Sequence, residues 1–371
     1  MKKIYLDYNA STPIAPEAVD AMQPYLTRHY GNPSSPHWAG LPAKEAVERA
    51  RGQISGLLGC TAQEIVFTSG GTESNNHAIK GTFFSLSHKG NHIITSQIEH
   101  PATIHPCRFL ETLGAEVTYL PVDSTGMVDP DDVAGAITDR TILVSIMHAN
   151  NEVGTIQPIA EISRMTRERN VLFHTDAAQS LGKIPTRVSE LGVDFLSLAG
   201  HKVYAPKGVG ALYIRDGIQI EPFMHGAGHE SGRRAGTENV LLDVGLGAAC
   251  ELAQDWIESP QILELREYFW ASLQEAFKER VVLNGHPVAR LPNTLNVSFI
   301  GQSGPDLLAK LDGVAASTGS ACHAGAIELS PVLKAMGISS ETGMGTIRFS
   351  LGRNTTKNEI EYVIQQIRNA I

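Results

Sequence analysis

Along the first two thirds of the chain, short apolar, β-branched runs alternate with stretches whose apolar residues recur at helical spacing. The runs at 64–68, 92–95, 115–120, 142–146, 171–174 and 193–196 read as strands bounded by turn residues. Between them lie helix signals. Asp129-Pro130 is a capping residue followed by proline at the first helical position, and it opens a helix over 131–137. This alternation predicts an α/β fold, a mostly parallel sheet sandwiched by helices, in which ligands bind beyond the carboxyl ends of the strands. A helical stretch starts near Val240, breaks at Ser259-Pro260 and resumes to Arg280. Strands at 294–299 and 347–350 and a last helix over 357–371 then predict a smaller α+β domain.

The residues with chemistry to offer follow the predicted strands. Gly200-His201-Lys202 comes after the apolar run 193–198 and before the turn Pro206-Lys207-Gly208. A lysine there is either a solvated strand end or, held out of water with a lowered pKa, an amine ready to form a Schiff base. Ser69-Gly70-Gly71-Thr72-Glu73 lies between a strand and a helix, where free N–H groups suit a phosphate; a plain tight turn is the other reading. Asp176 and Gln179 reach one side of a ligand over the sheet. Asp176 either holds a pyridine-type nitrogen protonated or caps the next helix. His100 either stacks on a planar cofactor and moves protons or is structural. Cys322 sits in Ser317-Thr318-Gly319-Ser320-Ala321-Cys322-His323-Ala324-Gly325, a run of small residues that cannot bury a thiol, which points to an exposed, reactive cysteine.

Composition narrows the class. The 371 residues, 42% hydrophobic and 19% charged, suit a soluble globular protein of two domains. A net charge of -9 argues against a nucleic-acid partner, no apolar run reaches membrane-spanning length, and the start has no secretory pattern, so a cytoplasmic protein is expected. The four cysteines, Cys60, Cys107, Cys250 and Cys322, form no C-x-x-C pair, and the first three read as buried small hydrophobes. Fourteen histidines show neither HExxH nor the acidic and thiolate company of zinc sites, so no metal is expected.

Taken together, these segments resemble the cysteine desulfurases, fold-type-I pyridoxal-phosphate enzymes of the class V aminotransferase group. The resemblance rests on Tyr5-Leu6-Asp7-Tyr8-Asn9-Ala10-Ser11-Thr12-Pro13, Gly31-Asn32-Pro33-Ser34-Ser35, the turn 69–76, and His148-Ala149-Asn150-Asn151-Glu152-Val153-Gly154. It continues through Asp176-Ala177-Ala178-Gln179, Gly200-His201-Lys202, Arg234-Ala235-Gly236-Thr237-Glu238-Asn239, Gly319-Ser320-Ala321-Cys322 and the segment 347–353, in order over nearly the whole chain. It implies a large cofactor domain over 14–252 and a small domain from 1–13 and 253–371. It makes Lys202 the covalent anchor of pyridoxal phosphate, with Asp176 on the pyridinium nitrogen, Gln179 on the phenolic oxygen and His100 over the ring. Gly71, Thr72 and His201 would hold the phosphate, with Thr237 supplied by the second subunit of a homodimer. Asn32, Asn151 and Arg348 would fix the substrate carboxylate, Arg348 through its fork. Cys322 would attack the sulfur of L-cysteine, giving alanine and a persulfide for a sulfur-acceptor protein.

Three departures from the family pattern matter. Ala199 stands where a serine commonly adds a hydroxyl to the phosphate site. His323, where threonine is common after the cysteine, and Ser330-Pro331-Val332-Leu333 are similar to selenocysteine lyases, so L-selenocysteine is the alternative substrate. The chain stops at Ile371, without the extension that docks an iron–sulfur scaffold in housekeeping desulfurases. Another pyridoxal-phosphate lyase or aminotransferase would not need Cys322, and a non-enzymatic scaffold would not need Lys202, Asp176 and His100.

Overall fold

The structure, a computed structural model, describes residues 3–318, 320–323 and 326–371, with the backbone alone for 320–323 and 326–327. Seven strands form the main sheet: β1 (Ile65–Thr68), β2 (His92–Ser96), β3 (Glu116–Leu120), β4 (Thr141–Ser145), β5 (Leu172–Asp176), β6 (Phe195–Ala199) and β7 (Gly210–Ile214). Their spatial order is β1-β7-β6-β5-β4-β2-β3. All neighbours run parallel except β7, which is antiparallel to both β1 and β6. The order of connection reverses between β2 and β4, the switch point where such sheets open a crevice at their carboxyl ends.

The strand runs are apolar throughout because the sheet is covered on both sides. Ile93, Leu143 and Phe195 pack into one core and their neighbours Ile94, Val144 and Leu196 into the other, as the two-residue period of a strand requires. On the second of these faces the helices Leu41–Leu58 and Val240–Ala253 lie together through small residues. A Cβ on Gly247 would come within 2.5 Å of Ala50 Cα.

A second sheet holds β8 (Val281–Asn284), β9 (Thr294–Phe299), β10 (Ser317–Thr318) and β11 (Thr346–Ser350), all antiparallel, in the order β10-β11-β9-β8. Its core joins Phe269, Leu273, Val297, Phe349 and Ile360 with Ile4 and Leu6 from the start of the chain. The strand Ile4–Tyr5 pairs parallel with Val314–Ala315, and Asp7 bridges to Ser350. Backbone pairing also joins Ser320–His323 to Ala326–Leu329, with Cys322 opposite Ile327.

The predicted strands of the main sheet are all present. β7 is additional: its Gly-Ala-Leu-Tyr-Ile run follows the turn after Lys202 and fills the gap between β6 and β1. The predicted helix over 131–137 is Pro130–Ala136, with the Asp129 carboxylate accepting the Asp131 N–H at 2.9 Å. Of the cysteines, Cys107 and Cys250 are buried, whereas Cys60 is only half-buried, one step past the left-handed Gly59 that ends its helix. No helix among the described residues is long and apolar enough to cross a membrane.

Candidate active site

Past the end of β1, Gly70 takes φ +146°, a conformation that L side chains rarely adopt, and turns the chain straight into the helix Gly71–Leu86. The first N–H groups of that helix have no partner within it and carry the positive end of its dipole. The Ser69 N–H donates to the Glu73 carboxylate at 2.7 Å, which is also paired with Arg234 at 2.9 Å. This pinning fixes the turn. The result is a cradle suited to a phosphate.

β5 ends on Asp176, whose two oxygens have separate duties. One accepts the Ala178 N–H at 2.9 Å, a capping contact, and the other accepts the Asn75 amide at 2.7 Å. The carboxylate keeps further lone pairs for a ligand. One turn on, Gln179 donates to the Asn9 carbonyl at 2.9 Å.

After β6 the chain makes a tight turn, Gly200–Lys202. Glycine is needed at its start, since a Cβ there would meet Val209 Cγ1 at 2.9 Å. Lys202 Nζ donates to the carbonyls of Asn9 at 2.6 Å and Ala10 at 2.9 Å. Burial, helped by the nearby Arg348 cation, pushes its pKa down to about 8. An amine so placed is neutral, and nucleophilic, in a useful fraction near pH 7–8. Burial and the adjacent Lys202 hold His201 down to about 4, so it meets a ligand as a neutral imidazole.

His100 follows β2 and caps the helix Pro101–Glu111, its Nδ1 accepting the Ala102 N–H at 3.1 Å. That bond places the ring proton on Nε2, and burial lowers the pKa. Arg348 reaches over from β11. Its guanidinium donates to the Asn151 carbonyl at 2.9 Å, to Asp7 at 2.7 Å and to Ser317 Oγ at 3.0 Å, while Nε is buried with no partner among the described residues.

These side chains meet around one cavity of about 340 Å³. Gly71, Thr72, His100, Asn151, Asp176, Gln179, His201, Lys202 and Arg348 all line it, as does Ala199. Asn32 is not in the lining. It is exposed, and its side-chain oxygen accepts the Ser34 N–H at 2.9 Å in its own turn. Thr237 is exposed and also outside the lining. The side chain of Cys322 lies outside the described residues. Burial pushes the thiols of Cys60, Cys107 and Cys250 up to about 12, which leaves none of the three poised as a thiolate.

The lining fits pyridoxal phosphate. An anion cradle, a carboxylate for a ring nitrogen, an enclosed lysine and a guanidinium are present together. Asn9 was not assigned a role from the sequence, yet it binds Lys202 and Gln179 through its carbonyl and Asn293 and Thr294 through its side chain. Asn75, the partner of Asp176, was missed likewise. Its place in the turn after β1 was the available signal.

A family model described as aminotransferase class-V matches residues 4–363. The chain is 50% identical to "Cysteine desulfurase IscS" of Dictyoglomus turgidum, over 100% of this chain and 95% of the relative. It is also 50% identical to the protein of the same name from Methanosarcina thermophila, over 99% of this chain and 91% of the relative. Among solved structures it is similar to a "NIFS-LIKE PROTEIN" at TM-score 0.92 and 36% identity, covering 99% of each chain. It is similar to "SspA in complex with cysteine" at TM-score 0.85 and 39% identity, covering 94% of this chain and 99% of that one.

Proposed function

The chain belongs to the class-V aminotransferase family, among the cysteine desulfurases, and from that premise we propose that it takes sulfur from L-cysteine with pyridoxal phosphate, leaving L-alanine and a persulfide on Cys322. The observation that carries the reading is Lys202, enclosed with a lowered pKa in a lining that also presents Asp176, His100 and the turn at Gly71. The relative in complex with cysteine supports the substrate.

Bound pyridoxal phosphate supplies an electron sink that makes the Cα proton of an amino acid removable. Lys202 would anchor the cofactor and, as a largely neutral amine, would be placed to take and return a proton at Cα. Asp176 would keep the ring nitrogen protonated, and Gln179 would donate to the phenolic oxygen. His100 would cover the ring, with its Nε2 proton available. Arg348 would receive the substrate carboxylate, beside Asn151. Cys322 Sγ, as thiolate, attacks the substrate sulfur; the S–S bond forms as the C–S bond breaks, its electron pair passes to carbon, and protonation completes alanine. Ala199 supplies no hydroxyl, so phosphate binding rests on Gly71, Thr72 and His201, with Thr237 supplied by a second subunit. That subunit would cover the exposed Trp38 (80%) and Tyr30 (75%), and Thr237 is exposed on the same chain. A reducing compartment such as the cytoplasm suits a thiol-based carrier that delivers sulfur to an acceptor protein.

His323 beside Cys322 favours a second reading, selenocysteine lyase. Assays of both amino acids with wild type and Cys322→Ala decide between them. Fast sulfide and alanine formation from cysteine, lost in Cys322→Ala, is expected. A wild type that is inert on cysteine but fast on selenocysteine overturns the first reading. A protein that takes up no visible absorbance with pyridoxal phosphate, or keeps that band in Lys202→Ala, overturns both.

A further inference from the structure

A second lysine stands beside the site and has no role in the reaction described above. Lys183 lies in the turn after β5, four residues beyond Gln179. Its Nζ donates to Gln179 Oε1 at 3.0 Å and reaches Asn9 Oδ1 at 3.4 Å. Gly182, at φ +70°, leaves no room for a side chain, since an added Cβ would meet Ala253 Cβ at 2.9 Å and Val203 Cγ2 at 3.0 Å. An ammonium has only donors, so the atom of Gln179 that meets it must be the amide oxygen. That settles which way the amide faces. Its nitrogen is then turned to the Asn9 carbonyl, and among the described residues this is its one acceptor, leaving a second N–H for the cavity that Gln179 lines.

We infer that Lys183 is a positioning residue for the cofactor: it locks the Gln179 amide with its nitrogen toward the cavity, so that this group can only donate to the phenolic oxygen of pyridoxal phosphate. The inference rests on the reading of the cavity as a pyridoxal-phosphate site. Without Lys183 the amide is free to turn over and present its oxygen, which would repel a phenolate. Burial, with the positive charges of Lys202 and Arg348, pushes Lys183 down to about 7. The neutral amine still donates to Gln179 but gains a lone pair, so the lock is strictest while Lys183 is charged. The other groups facing Lys183 are Tyr8, Tyr204 and Arg353, which line a small cavity on its far side. Burial holds both tyrosines above their usual range, and Arg353 keeps its charge, so Lys183 and Lys202 are the members of this set that titrate near neutrality.

The test uses the cofactor-loaded dimer, its visible band titrated with pH in the absence of substrate. Loss of a donor and of a nearby positive charge both raise the midpoint, by about half a unit or more in Lys183→Met, whereas Lys183→Arg stays near wild type. Gln179→Ala also raises it, and the double variant Lys183→Met/Gln179→Ala shifts by clearly less than the sum of the two single variants, because the donor part of the Lys183 effect acts through that amide. A Lys183→Met midpoint that stays at the wild-type value while Gln179→Ala moves it overturns the inference, as does full additivity of the two. The cofactor-free protein gives a separate readout. A lysine held below its unfolded pKa destabilises the fold where it is charged, so the wild-type melting temperature climbs as pH rises from about 7 toward 10. The climb should be smaller in Lys183→Met, and equal slopes count against the inference. A wild type with no visible band sinks the reading of the site instead, and leaves this second measurement standing.

Discussion

Three histidines near the sheet are enclosed more deeply than nearby carboxylates can offset. His174 sits between Ser145 Oγ at 2.8 Å and Ser197 Oγ at 2.9 Å, and among the described residues His148 Nδ1 and both ring nitrogens of His77 have no partner. Burial pushes all three down to about 4. Their folded pKa lies below the unfolded value, so the unfolded chain takes up more protons between about pH 6.5 and 4, and stability falls as pH falls through that window. At pH 5 each should cost on the order of 1–2 kcal/mol relative to pH 8. Urea midpoints at the two pH values measure it, and His174→Asn, which keeps polar contacts without titrating, should flatten the dependence. At this scale the sequence was informative for most of the side chains that line the cavity, though not for Asn32 and Thr237, which lie outside it. Lys202, Asp176, Gln179 and His100 all stand where their strands end. It was silent where the partner is a main-chain carbonyl, as with Asn9 and Ala10 around Lys202, because any residue can supply one.

Among the elements, strands covered on both faces were readable as unbroken apolar runs, and β2 and β4 need no alternation to be found. β7 was not, since its run starts on glycine directly after a turn and its place depends on β1 and β6 being apart. The contact between Leu41–Leu58 and Val240–Ala253 was equally hidden: small residues have no periodic signature, yet they set how close two helices come. Gly247→Val puts methyl groups where Ala50 Cα already stands, with about 1–3 kcal/mol of destabilisation expected. Denaturant titration would show it, and Gly52→Ala, which meets nothing within 4 Å, is the control that should hold or gain stability.

For the whole molecule, Trp38 and Tyr30 are large aromatic side chains left exposed, and the proposed second copy would cover them. Trp38→Glu should shift the mass in solution from dimer toward monomer. If Thr237 completes the partner's phosphate site, that variant should also bind pyridoxal phosphate at least about tenfold more weakly. A variant that is monomeric but loads normally would remove Thr237 from the site. The resemblance implied a dimer but named no residues such as Trp38 or Tyr30, since exposure is a property of the folded chain and not of any local pattern.

The strand Ile4–Tyr5 and the carbonyls of Asn9 and Ala10 have a consequence in time. The segment whose carbonyls hold Lys202 is made early, but its docking partners, Val314 and Ser350, come more than three hundred residues later. During synthesis the main sheet can form while the Lys202 amine is still without its cradle. The surroundings of Lys202 are therefore completed in one late closure rather than by degrees.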